Sequence, residues 1–340
     1  MSANEPVQRR FAFVLLPSFN MMALSAAIEP LRVANMLSGQ TLYRWQLFSA
    51  GPEQVQASNT AWITVDGDLA TADAFMADGC DTLFVCASWY PEQLDDEQLF
   101  GWLRQHARSG LRLGGIDTGA IVLARAHLLD GFRATANYDV IAGFAEDHPR
   151  VTVTDHLFEA DNNRMTCSAG TAPIDMMLLL MHEHWGEEIT HRVSRHLFYQ
   201  QLRSGGESQK ALVREYGYDF PKQLQYAIHL MEKNTESRLM VKDIAEQTGT
   251  SLRTLERLFR EHTQMSPAVF YLRLRLEKGR QYLLHTRMSV LQVAVACGFL
   301  SQEHFARRYR DVFGRSPRDE RAVSALQTTA DMASVTVDKT

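Results

Sequence analysis

Ser251-Leu-Arg-Thr-Leu-Glu-Arg-Leu-Phe-Arg260, followed by Met265-Ser266-Pro267, recurs fifty positions later as Ser301-Gln-Glu-His-Phe-Ala-Arg-Arg-Tyr-Arg310, followed by Arg315-Ser316-Pro317. Each copy is preceded by a largely apolar stretch ending in glycine: Ile244-Ala-Glu-Gln-Thr-Gly249 and Val293-Ala-Val-Ala-Cys-Gly298. A helix, a turn containing glycine, and a second helix with a basic face make the sequence form of a helix-turn-helix reader. Two copies in one chain supply two recognition helices without a partner subunit. The expected partner is double-stranded DNA.

A recognition helix must pack one face on its scaffold and offer the other to base edges in the major groove. In the first copy Leu255, Leu258 and Phe259 form the inner face. Arg253, Glu256 and Arg257 fall at i, i+3 and i+4 and share the opposite face. The two arginines suit bidentate pairing with guanine, and Glu256 suits cytosine N4. In the second copy Phe305 and Tyr309 turn inward while Gln302, Glu303 and Arg307 point out. Arg260, Arg308 and Arg310 are placed for phosphates, which set affinity and salt dependence. Gly249 and Gly298 suit turns with positive φ. Ala245 and Ala294 are small where the two helices of each copy approach. Between the copies, Phe270–Leu284 reads as one helix, able to hold the readers about one DNA turn (~34 Å) apart.

The charge distribution agrees. The 340 residues carry a net charge of −5, but residues 1–221 hold 16 Lys/Arg against 27 Asp/Glu, a net of −11. Residues 222–324 hold 18 Lys/Arg against 11 Asp/Glu, a net of +7. A basic module on an acidic body points to a polyanion bound by the module alone. The length allows two or three domains, and 45% hydrophobic with 22% charged residues is ordinary for a globular protein. No apolar run reaches the ~20 residues of a membrane span, and Phe11–Leu16 is too short for a signal-peptide core, so a cytoplasmic location without membrane contact is expected. Cys80, Cys86, Cys167 and Cys297 form no C-x-x-C pair and read as reduced thiols. His182, His184, His191 and His196 lack metal-ligand spacing; no metal or cofactor is expected.

Residues 11–185 alternate strand-like and helical runs. Strands are expected at Phe11–Leu16, Trp45–Ala50, Thr82–Ala87, Leu111–Ile116, Val151–Thr154 and Arg164–Cys167. Helices are expected at Asn20–Met36, Gln93–Ala107, Ala120–Leu129 and Pro173–Trp185. This order predicts an α/β domain, a mostly parallel sheet in a flavodoxin-like three-layer sandwich, over residues 9–186. Residues 187–221 read as a connector, helical over Glu188–Leu202 and broken at Arg203-Ser-Gly-Gly-Glu-Ser208. Residues 222–322 form the all-α domain with its two helix-turn-helix units, and 323–340 a small, polar, disordered tail.

Leu111-Arg-Leu-Gly-Gly-Ile-Asp-Thr-Gly-Ala120 is a strand-to-helix elbow, which projects the turn residue over the sheet's C-terminal edge. Enzymes place Ser or Cys there; this chain has Asp117, followed by Thr118. Without a thiol or hydroxyl at the elbow residue, nucleophilic acyl chemistry has no obvious agent, and no catalytic residue is assigned. Cys167 reads as a structural thiol. Asp-Thr-Gly also occurs in aspartic proteases, but those need two such loops on β-sheets, whereas helix follows here. A ligand pocket is the better reading. Asp117 offers an anion, and Trp89 and Tyr90 follow Thr82–Ala87 to the same edge. Glu29 adds a second carboxylate. Carboxylates beside aromatic faces suit a cationic or quaternary-ammonium ligand. Ordinary loop packing or a dimer contact also accounts for Trp89 and Tyr90.

Residues 225–322, with Ala294-Val-Ala-Cys-Gly-Phe299 through Phe305-Ala-Arg-Arg-Tyr-Arg-Asp-Val-Phe-Gly-Arg-Ser-Pro317, resemble the AraC/XylS family. The first domain is similar to the PfpI-like branch of the class I glutamine-amidotransferase-like fold. Phe19–Asn35, the Asp117-Thr-Gly elbow and Thr166-Cys-Ser-Ala-Gly-Thr-Ala-Pro-Ile-Asp175 resemble the GlxA-type regulators, which join such a domain to an AraC reader. The resemblance implies a transcription regulator, usually an activator that touches RNA polymerase, acting as a homodimer. It implies a small-molecule effector of the arginine, carnitine or glycine betaine class. It also places Asn137 where many GlxA-type members have His, so the site lacks both Cys and His of catalytic superfamily members. The competing reading is a DNA-tethered amidase or hydrolase.

Overall fold

The computed structural model describes residues 8–89, 91, 94–199, 203–209, 220–286 and 288–322. The chain divides into two compact units, Met1–Leu212 and Val213–Thr340. Tyr90 and the tail 323–340 lie outside the described residues.

The first unit is built on a six-stranded sheet ordered β2-β1-β5-β6-β10-β9. Its strands are β1 (Arg9–Leu15), β2 (Tyr43–Ser49), β5 (Thr82–Ala87), β6 (Arg112–Asp117), β9 (Phe158–Asp161) and β10 (Arg164–Cys167). All neighbours run parallel except β9, which pairs antiparallel with β10. Parallel strands are covered on both faces and therefore read as continuous apolar runs. Phe11, Phe13 and Leu15 of β1 face one core, and Ala12 and Val14 the other. The first core is closed by α1 (Met21–Ser38), α6 (Ala172–Trp185) and α7 (Glu187–His196). The second is closed by α2 (Leu69–Ala77), α3 (Glu97–Arg108), α4 (Gly119–Arg125) and α5 (Ile141–Asp147). Thus α7, read from sequence as connector, packs its Ile189 and Val193 into the core of the first unit. His184 is drawn into the same core beside Tyr43 (3.4 Å), and burial lowers its pKa to about 4.

Several expectations need correction. The helix expected over Ala120–Leu129 stops at Arg125, because His127 adopts φ +59 and breaks the helical bonding. The helix expected from Gln93 begins at Glu97, where the Asp96 carboxylate caps Leu99 N–H (2.9 Å). The strand expected over Val151–Thr154 shrinks to β8 (Thr152–Val153), paired with β7 (Arg133–Ala134) outside the main sheet. The hairpin β3 (Gln54–Gln56) and β4 (Trp62–Thr64), and the helices α2 and α5, were not expected.

Among its described residues the second unit forms helices and no strand, with α8 (Lys222–Lys233), α9 (Val241–Gln247), α10 (Leu252–Thr263), α11 (Pro267–His285), α12 (Val290–Ala296) and α13 (Gln302–Phe313). The repeated serines are N-caps. Ser251, Ser266, Ser289 and Ser301 each accept a hydrogen bond from the backbone three residues on. The proline after Ser266 sits in the first turn, where its missing N–H costs nothing. Leu224, Ile228, Met231, Ile244, Leu255, Phe259 and Phe270 form the core of the first copy.

Gly298 shows why the turn requires glycine. It adopts φ +69, and an added β-carbon would lie 2.7 Å from the Thr235 carbonyl and closer still to that of Glu236. The second turn is therefore pressed directly on the loop after α8. Gly298→Ala is expected to destabilise the second unit by about 2–4 kcal/mol, combining αL strain with a backbone clash. Urea unfolding of the variant checks this, and an unchanged midpoint would contradict it.

Candidate functional site

The Asp117 site forms where β6 meets α4. Asp117 adopts φ +60, an uncommon conformation for a residue with a side chain, so the elbow turns sharply. Gly115 and Gly119 permit it: a β-carbon on either would strike the backbone of Ala120 or Val85. Thr118 Oγ1 donates to the Ser88 carbonyl (2.7 Å), tying the elbow to the end of β5.

Asp117 is 1% exposed. Asn20 caps α1 through its Oδ1, which accepts from Ala23 N–H (3.1 Å), and its freed Nδ2 donates to Asp117 Oδ2 (3.0 Å). Asp117 Oδ1 is buried and makes no hydrogen bond among the described residues. Burial pushes the carboxyl up to about 6, with Asp139 adding repulsion, against the opposing pull of Asn20, Ser88 and Asn137. The site thus holds a carboxylate with one oxygen satisfied and the other poorly so.

Among the residues proposed from sequence, Asp117, Thr118 and Asn137 come together. Glu29 does not join as a free carboxylate: both its oxygens accept from Arg32 on the same helix (2.7–3.1 Å). Trp89 lies past the end of β5 and is 53% exposed. Asn20 was missed; its signal is a lone Asn just before an apolar helix. Cys86 and Cys167 are buried near Asp117, and burial raises both thiols well above their ordinary range, which disfavours a thiolate nucleophile. No three His, Cys, Asp or Glu side chains come together as a metal site among the described residues, and no helix there is long and apolar enough to cross a membrane.

In the second unit, Leu255, Leu258 and Phe259 are buried while Arg253, Glu256, Arg257 and Arg260 of α10 are exposed. In α13, Phe305 and Tyr309 are buried, Glu303, Arg307 and Arg310 are exposed, and Gln302 and Arg308 are half-buried. Arg253, Arg260, Arg307 and Arg310 form no ion pair among the described residues, so their charge is available to DNA. Arg257 pairs with Glu261 (2.7 Å) and Arg308 with Asp311 (3.3 Å). Exposed pairs of this kind are worth under about 1 kcal/mol and yield readily to a base or phosphate.

Both copies are held on one scaffold. Arg275, buried on α11, donates through Nε to the Cys297 carbonyl (2.6 Å) and through a terminal nitrogen to that of Gly298. Its guanidinium also stacks 4.3 Å from the Phe299 ring. On the same helix Tyr271 donates to the Asn234 carbonyl and Lys278 to Thr235 Oγ1 (2.8 Å). These anchors were not foreseen, because an arginine within an apolar helical pattern reads as a solvated side chain.

Two capped, basic recognition helices on a shared scaffold, joined to an α/β unit, define a DNA-binding transcriptional regulator. The family of the helix-turn-helix domain matches residues 244–322. The chain is 43% identical over 321 residues to the HTH-type transcriptional regulator CdhR of Pseudomonas aeruginosa, covering 94% of each chain. A crystal structure of an AraC family transcriptional regulator from Pseudomonas putida is similar at TM-score 0.51 and 25% identity, over 56% of this chain and 99% of that one. The fold is also similar to a ThiJ/PfpI family protein from Pseudomonas syringae, at TM-score 0.50 and 14% identity, over 73% of this chain and 91% of that one. The chain belongs to the AraC family of helix-turn-helix transcriptional regulators, and the fold of its first unit is PfpI-like.

Proposed function

We propose that this regulator is a one-component activator whose first unit binds a small nitrogenous cation and whose second unit reads promoter DNA. The observation that carries the reading is Asp117, a buried carboxylate on a strained elbow with one oxygen left unbonded. A cationic or quaternary-ammonium group set against it would compensate the buried charge, and Asn20, Asn137 and Thr118 would orient the rest of the molecule. Trp89, past the end of β5, would supply an aromatic face to the ligand. The resemblance to GlxA-type regulators supports the arginine, carnitine or glycine betaine class. It also supports a homodimer that contacts RNA polymerase.

On DNA, Arg253, Glu256 and Arg257 of α10 and Gln302, Glu303 and Arg307 of α13 would read bases, with Arg260, Arg308 and Arg310 on phosphates. The effector must favour one state of the protein over the other, since equal affinity for both shifts nothing. A thermal-shift panel of arginine, carnitine, betaine, sarcosine and related amines tests the sensing half. A specific ligand at a hundred times its Kd stabilises by about 2.7 kcal/mol. The reading expects one amine to raise Tm in the native chain and to lose that effect in Asp117→Ala. Full retention of the shift in Asp117→Ala would overturn the site.

A further inference from the structure

Residues 203–209 close the described part of the first unit and lie antiparallel to residues 155–158. Leu157 N–H donates to the Glu207 carbonyl (2.9 Å), Gln209 N–H donates to the Asp155 carbonyl (2.7 Å), and His156 bridges Ser208. Gly205 is pressed on the Phe158 ring, where a β-carbon would come within 2.7 Å. Arg203 is tied to the fully buried Asp175 carboxylate at 2.6 Å. A flexible break, as the composition of this stretch suggests, has no need of such anchors.

Gln209 ends the segment and is 2% exposed. Its Nε2 donates to the carbonyls of Ala136 (2.8 Å) and His156 (2.6 Å) and to Thr135 Oγ1 (2.9 Å), while its Oε1 accepts from Ser168 Oγ. Carbonyl oxygens cannot donate, so the amide can face only one way. Losing it would leave the buried Ala136 carbonyl and the Ser168 hydroxyl short of a partner. The groups it holds adjoin the Asp117 site. Ala136 precedes Asn137, whose amide lowers the Asp117 pKa from nearby, and Ser168 follows Cys167, which pairs in the sheet with Ile116, the residue before Asp117.

We propose that Gln209 is a positioning residue that couples the Asp117 site to the segment leading toward the DNA-binding unit. Through Ala136 and Ser168 it senses the placement of the two strand ends beside Asp117. Through its own backbone it sets the 203–209 segment against 155–158. The functional meaning rests on the reading of Asp117 as the effector site. The coupling itself can be measured with no effector present, so failure of one is distinguishable from failure of the other.

Hydrogen exchange on the full-length chain at neutral pH, read by mass spectrometry, tests it. Asp117→Asn is expected to change the exchange of peptides covering 155–158 and 203–209 by about fivefold or more beyond the change, set by global stability, that β1 and β5 show. In a Gln209→Met background the same Asp117→Asn change should have no further effect on 203–209, the signature of coupled rather than additive sites. Thr135→Val, which removes one acceptor while keeping its shape, should weaken the coupling partly and decides the matter if Gln209→Met does not fold. An equal response of 203–209 to Asp117→Asn with and without Gln209, or no response at all, overturns the proposal.

Discussion

Replacing Arg257 and Arg307 together by alanine is expected to lower affinity for a specific promoter duplex on the order of a hundredfold to ten-thousandfold. The two arginines occupy corresponding exposed faces of α10 and α13, six positions after the N-cap serines Ser251 and Ser301. A good bidentate arginine–guanine contact discriminates by about 1–3 kcal/mol, and each 1.4 kcal/mol is tenfold. Neither side chain supports the fold: Arg307 has no ion pair among the described residues, and the Arg257–Glu261 pair is exposed. Tm should therefore stay constant while specific binding collapses. Binding to random duplex should fall far less, because Arg260, Arg308 and Arg310 remain for phosphates. Fluorescence anisotropy on specific and random duplexes at one salt concentration separates the two effects. An equal loss on both would mean that these arginines contact only the backbone.

Asp117→Asn should make the protein more stable and deaf to its effector. In the folded chain the carboxyl titrates at about 6 against an ordinary 3.8, so between those pH values the folded chain keeps a proton that the unfolded chain has lost. This group's contribution is thus most favourable below pH 3.8 and declines as pH rises through 6. At neutral pH the folded chain carries the full penalty, about 3 kcal/mol at most from a gap near two pH units. Asparagine cannot ionise, tolerates positive φ, and offers its carbonyl to Asn20 Nδ2. The variant should gain about 1–3 kcal/mol at pH 7, with little gain near pH 4. Thermal melts across this range check the sign. A destabilised variant at pH 7 would mean that the ionised carboxylate is well compensated in the native chain. If the proposed cation binds there, its affinity should weaken as pH falls below 6, because protonation removes the anion it would meet.

The DNA-reading half was largely legible because its constraints are local. Serine caps, glycine turns and a 3.6-residue apolar period recur at fixed spacing, and Leu255, Phe259, Phe305 and Tyr309 are buried as their spacing implies. In the first unit, Thr82–Ala87 and Arg164–Cys167 match their strands to the residue, the former because a buried parallel strand is a nearly continuous apolar run. Strand β9 was missed because an edge strand with one face open reads Phe-Glu-Ala-Asp, without a run. It is joined to β10 by Asn162 at φ +54, a turn that two asparagines could have signalled. Of the Asp117 site, the elbow was visible in the glycine spacing. Asn20 was not, because it reaches the site from 97 residues away through tertiary packing alone.

The central claim is that two recognition helices of one chain read adjacent turns of one duplex. Dimethyl sulfate protection of guanine N7, on duplexes selected by the purified chain from a random library, tests it most directly. The account predicts two clusters of protected guanines in the major groove, about 10–10.5 base pairs apart, one lost in Arg257→Ala and the other in Arg307→Ala. A single cluster, or two clusters that both persist in each variant, would contradict it.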